Sequence, residues 1–71
     1  MKEKTRKIEF TERELKTIEM LASGYNDPEI AEHFKISIHT VRNILTQLYR
    51  KTNTVNRTQL VAWGFRAKLV V

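Results

Sequence analysis

Apolar positions recur with a helical period in four blocks of the chain, each opened by a capping signal and separated from the next by a short polar stretch. In the first block Leu15, Ile18, Leu21 and Ala22 share one face. Thr11 and Glu14 have the spacing of a capping box, Phe10 stands where a hydrophobic staple belongs, and Gly24 supplies a left-handed stop. These signals predict a helix over residues 12–23. The second block opens at Asn26-Asp27-Pro28-Glu29, where either Asn26 is boxed by Glu29 or Asp27 caps a helix beginning at Pro28. It presents Ile30, Ala31 and Phe34 to a core and closes near Lys35, too short a helix to persist without neighbours. Ser37, a third cap, follows almost at once, and two helices joined so tightly outline a helix-turn-helix.

The third block predicts a helix over residues 38–52 with Ile38, Val41, Leu45, Leu48 and Thr52 in one narrow stripe. On the opposite side stand His39, Asn43 and Arg50, flanked by Thr46 and Gln47, with Arg42 at the boundary. No carboxylate interrupts that side, and its amides, hydroxyls and cations suit both phosphate oxygens and base edges in a major groove. After an elbow at residues 53–55, Asn56 and Gln59 repeat the capping-box spacing and open a helix over residues 57–69. Leu60, Val61, Ala62, Trp63, Phe65, Ala67, Leu69 and Val70 surround it almost completely. One small core needs a single stripe, so the surplus is expected to meet a second subunit, with Trp63 and Phe65 open to either role. The fold class is all-α, four helices, with a basic N-terminal arm over residues 1–9 and the folded domain over 10–71.

Composition sharpens this picture through the placement of charge. The 71 residues hold 13 Lys and Arg against 8 Asp and Glu, a net charge of +5. Residues 11–36 hold six acids (Glu12, Glu14, Glu19, Asp27, Glu29, Glu32) against three cations, whereas residues 37–71 hold six cations and neither Asp nor Glu. A long acid-free half is the mark of a surface that meets a polyanion, and double-stranded DNA is the first partner to consider. With no cysteine there are no disulfides or thiolate ligands, which argues for an intracellular, cytoplasmic protein held by packing alone. The longest apolar run, residues 60–65, is far short of the ~20 residues a bilayer span needs. His33 and His39 lack the i, i+4 relation of a helical zinc pair, so no metal site and no cofactor is expected. Two glycines cannot make a phosphate loop, and no acid–base pair accompanies a nucleophile, so an enzyme is not expected.

These residues resemble the LuxR/FixJ/GerE family of bacterial DNA-binding domains from Phe10 to the C-terminus. The matching segments are Phe10-Thr11-Glu12-Arg13-Glu14, Leu21-Ala22-Ser23-Gly24 and Asn26-Asp27-Pro28-Glu29-Ile30-Ala31, followed by Ile36-Ser37-Ile38-His39-Thr40-Val41-Arg42 and Arg57-Thr58-Gln59-Leu60-Val61. The chain departs from the family at Ile44, Thr52 and Thr54, where His, Leu and Val are frequent. The resemblance implies a recognition helix in the third block, transcriptional regulation, and homodimerisation through the fourth helix, with Leu60, Trp63, Gly64 and Ala67 as contact candidates. It further implies base-facing roles for Arg42, Asn43 and Thr46 and phosphate contacts for Thr40 and Arg57; RNA polymerase is a possible further partner. Gln47, Arg50, Lys51 and His39 complete the expected DNA-binding set. Arg50 and Lys51 also complement the end of a helix dipole, while Arg57 sits in a first turn where the dipole opposes a cation, which itself favours an anionic partner. The family's frequent N-terminal receiver or autoinducer-binding domain has no counterpart in these residues. That implies either a short free-standing regulator, favoured by Met1, or an excised fragment. The alternative from another class is a protein-interaction module that uses the apolar last helix to bind a regulator or the transcription machinery and never reads DNA.

Overall fold

The structure is a computed structural model that describes residues 8–70. Among these residues there are four helices and no strand: α1 (Glu12–Ala22), α2 (Asp27–Phe34), α3 (Ile38–Thr52) and α4 (Arg57–Arg66). Most of the expected basic arm lies outside the described residues; its last two positions, Ile8 and Glu9, lead directly into α1.

Each helix starts where a side chain can satisfy an orphan backbone N–H. Thr11 and Glu14 bond reciprocally at 3.0 Å in both directions, and Asn26 and Glu29 do so at 2.8 and 3.0 Å, so Asn26 is the cap of α2 and Asp27 its first residue. Ser37 accepts from the Thr40 amide and Asn56 from the Gln59 amide. The return half of the Asn56 box is shifted by one residue, because the Gln59 side chain accepts from the Val55 N–H rather than from Asn56. All four helices then end on a residue with positive φ, Gly24, Lys35, Asn53 and Lys68, and each time the next residue's N–H reaches back to a carbonyl five residues earlier.

The core is Ile18, Met20 and Leu21 from α1, Ile30 and Ala31 from α2, Val41, Leu45 and Leu48 from α3, Leu60 from α4, and Val70. Two residues assigned to core stripes, Leu15 and Ile38, are exposed. In α1 the inward face is centred on Glu14, Thr17, Ile18 and Leu21, which leaves Leu15 on its flank; the fully buried Thr17 hydroxyl is satisfied by the Arg13 carbonyl at 2.7 Å. Phe34, expected in the core, is only half-buried and lies beneath the Arg13 guanidinium. The expected helix over 57–69 is three residues too long, because the chain turns left-handed at Lys68 and Val70 folds back into the core.

This return explains Gly64. A Cβ there would stand 3.0 Å from Cγ2 of Ile18 and 3.6 Å from Cγ2 of Val70, so the missing side chain lets α4 approach α1 closely. Leu60 and Gly64, expected at a subunit interface, are therefore taken up by the chain's own core. Trp63 is half-buried against Phe10, with ring centroids 5.7 Å apart, and Ala67 is exposed. Apolar surface left outward on α4 is centred instead on Phe65.

The elbow between α3 and α4 is held by the hydroxyls of Thr52 and Thr54. Thr52, buried, donates to the Leu48 carbonyl at 2.8 Å and pairs with the Thr54 hydroxyl at 2.8 Å. With the Thr52 proton given to Leu48, Thr54 is the donor in that pair.

Candidate nucleic-acid interface

The α3 helix owes its orientation to burying Val41, Leu45, Leu48 and Thr52, and every residue on its far side follows from that choice. His39, Arg42, Asn43, Thr46, Gln47 and Arg50 are all exposed. Among the described residues no carboxylate pairs with Arg42 or Arg50, and no side-chain hydrogen bond engages Asn43 or Gln47. The face therefore offers two cations and two amides to solvent. Thr46 is different: its hydroxyl donates to the Arg42 carbonyl at 3.0 Å, so it faces outward as an acceptor and a methyl group. Thr40 is half-buried, its hydroxyl 3.0 Å from that of Ser37 at the helix start.

Two members of the expected set are engaged inside the chain. The Lys51 ammonium lies 2.6 Å from Oε1 of Glu14, donates to the Glu9 carbonyl at 2.9 Å, and stands 5.6 Å from the centre of the Phe10 ring. Burial pushes the Glu14 carboxyl up, but the Lys51 ammonium and the Thr11 hydrogen bonds outweigh it and hold it below the ordinary glutamate value. Arg57 donates through Nη2 to Oδ1 of Asp27, joining the first turn of α4 to the first turn of α2. The two ion pairs thus brace α1 against α3 and α2 against α4. Glu14 and Asp27 are the residues that reading the chain in one dimension missed. Glu14 carries a local signal that is already accounted for by capping, and partners 37 and 30 residues away leave no spacing to detect.

The described residues hold no group of three or more His, Cys, Asp or Glu side chains able to bind a metal, and no helix among them is long and apolar enough to cross a membrane.

Comparison with known proteins agrees with this geometry. The model of the family described as bacterial regulatory proteins, luxR family, matches residues 9–63. The chain is 33% identical over 60 residues to the response regulator Rre1 of Synechocystis sp., covering 84% of this chain and 26% of that protein. It is 34% identical over 61 residues to the response regulator protein VraR of Staphylococcus aureus, covering 86% of this chain and 29% of that protein. The chain thus spans little more than a quarter of the length of these relatives.

Proposed function

The chain belongs to the luxR family of bacterial regulatory proteins, and from that premise we propose that it regulates transcription by laying α3 in the major groove of a specific duplex-DNA site, as one half of a homodimer. The observation that carries this reading is the outward side of α3, which holds Arg42, Asn43, Thr46, Gln47 and Arg50 with no carboxylate among them. Arg42 and Asn43 are long enough for bidentate base-edge contacts, Thr46 supplies an acceptor or a methyl contact, and Arg50 and Thr40 lie where backbone phosphates would flank the groove. His39, in the first turn, stands beside that flank. Lys51 is left out of the contact set, because its ammonium already has a carboxylate and a carbonyl. For the second copy, Phe65 on the outward side of α4 replaces Leu60 and Gly64 as the centre of the interface, with Trp63 and Ala67 at its edge.

A salt titration with duplex DNA selected by the protein from a randomised library tests the reading. Log affinity should fall linearly with log salt, by roughly 0.9 for each phosphate neutralised. Arg42→Ala should relax preference at one base position by about 1–3 kcal/mol. A flat salt dependence, or selection that recovers no common sequence, would overturn it.

A further inference from the structure

Arg57 lies in the first turn of α4, where the helix dipole opposes a cation, and Asp27 in the first turn of α2, where the dipole favours an anion. The ion pair between them ties two helix N-termini together. The Asp27 side chain is 20% exposed and that of Arg57 41%, so the carboxylate is largely covered while the guanidinium keeps an accessible edge. Among the described residues only Nη2 is engaged, and an arginine has five N–H donors in a fixed fork. Donors of this kind suit a phosphate oxygen.

Resting on the DNA-binding reading above, we infer that Asp27 is a positioning residue: it orients the Arg57 guanidinium for one backbone phosphate and, through its own charge, suppresses the pull of Arg57 on DNA of any sequence. At separations larger than the pair itself but within the Debye length, about 8 Å at physiological salt, the two charges largely cancel and the pair attracts a phosphate far less than a lone guanidinium would. At contact, the unused N–H donors still bond a phosphate that arrives in register. A duplex docked in register by base contacts on α3 places its phosphate there reproducibly, whereas random DNA does so only in a fraction of its poses. Asp27 therefore lowers affinity for random duplex more than for the specific site, and it widens the ratio on which regulation depends.

The experiment compares wild type with Asp27→Asn, which keeps shape and one oxygen acceptor, and with Asp27→Ser, which removes the same charge with a residue that helix starts favour. Each is titrated with salt on a random-sequence duplex and on the duplex selected by wild type. Both variants should bind random duplex severalfold more tightly, with a salt slope steeper by about 0.9, and should show a smaller specific-over-random ratio. Asp27→Glu, which retains the carboxylate, should restore the wild-type ratio. In an Arg57→Ala background, Asp27→Asn should leave the ratio unmoved. A steep wild-type slope with an unchanged ratio in Asp27→Asn and Asp27→Ser overturns this inference alone, as does a change in ratio that persists without Arg57. A flat wild-type slope overturns it together with the DNA-binding reading.

Discussion

The ammonium of Lys51 has three attractive neighbours: the Glu14 carboxylate, the Glu9 carbonyl and the face of the Phe10 ring. Its side chain is 32% exposed and that of Glu14 11%, so the pair is sheltered without being cut off from water. Because the folded Glu14 carboxyl is held below its unfolded value, the pair contributes stability that is fully present above about pH 4.3 and is lost as pH falls through the folded value. Lys51→Met should keep the packing on Phe10, leave the carboxylate without its cation, and destabilise the fold at neutral pH by about 1–3 kcal/mol, toward the lower end given the exposure of the ammonium. It should also flatten the acid limb of the stability profile, because the Lys51 share of the lowering is gone and the Thr11 hydrogen bonds are left to oppose burial. Urea unfolding of both proteins between about pH 7 and pH 3 checks this, and an unchanged acid limb in Lys51→Met would contradict the account. At this scale the chain was only partly legible. Arg42, Asn43 and Arg50 could be placed outward because helical period alone puts them opposite Val41 and Leu45. The withdrawal of Lys51 depended on how α1 lies against the end of α3, which no local spacing records.

Helix starts were readable because each cap is a local device: Thr11, Asn26, Ser37 and Asn56 each bond an amide three residues on. Helix ends divide by residue type. Gly24 and Asn53 adopt the left-handed conformation at little cost, and the chain announces them. Lys35 and Lys68 adopt it against their own preference and carry no stop signal, so the helical pattern of apolar residues runs on past Arg66 without a visible end. The end of α2 is legible only through the Ser37 cap of α3, which follows so closely. If Lys35 is held left-handed by its neighbours, relieving it should stabilise the fold. Lys35→Gly removes a penalty of roughly 1–2 kcal/mol and adds some unfolded-state entropy, for a net gain of about 1 kcal/mol. Gly24→Ala, at φ 92°, should lose stability instead. Thermal unfolding reads both: about 4–8 °C of upward shift per kcal/mol is expected for a domain of this size in the first case, and a downward shift in the second. A lowered midpoint for Lys35→Gly would mean that the lysine side chain itself holds the turn.

Across the whole molecule, the acid-rich stretch of α1 and α2 and the acid-free second half fold onto each other, and two of the six cations counted in the second half are paired in doing so, Lys51 by Glu14, and Arg57 by Asp27 with an edge of its guanidinium left accessible. Of the other four, Arg42 and Arg50 stand on the outward side of α3 beside its amides, and Arg66 and Lys68 lie at and just past the end of α4. The apolar surplus shrinks in the same way, since Leu60, Gly64 and Val70 turn inward and Phe65, 47% exposed, is the principal large apolar side chain left on α4. A standing protein interface buries about 1,200–2,000 Å² in total. One face of a ten-residue helix is about 15 Å long and falls short of that by itself. Association through α4 should therefore be weak in free solution and strong only when a duplex with two half-sites holds two copies side by side, where effective concentration replaces contact area. Sedimentation should find a monomer without DNA, and titration of a two-half-site duplex should show cooperative filling by two copies. Phe65→Ser, on an exposed position where a surface change alters stability by about 0.5 kcal/mol or less, should keep the fold and the affinity for a single half-site. The same variant should fill the paired half-sites independently. Cooperativity that survives in Phe65→Ser would place the contact between copies on another surface of the domain.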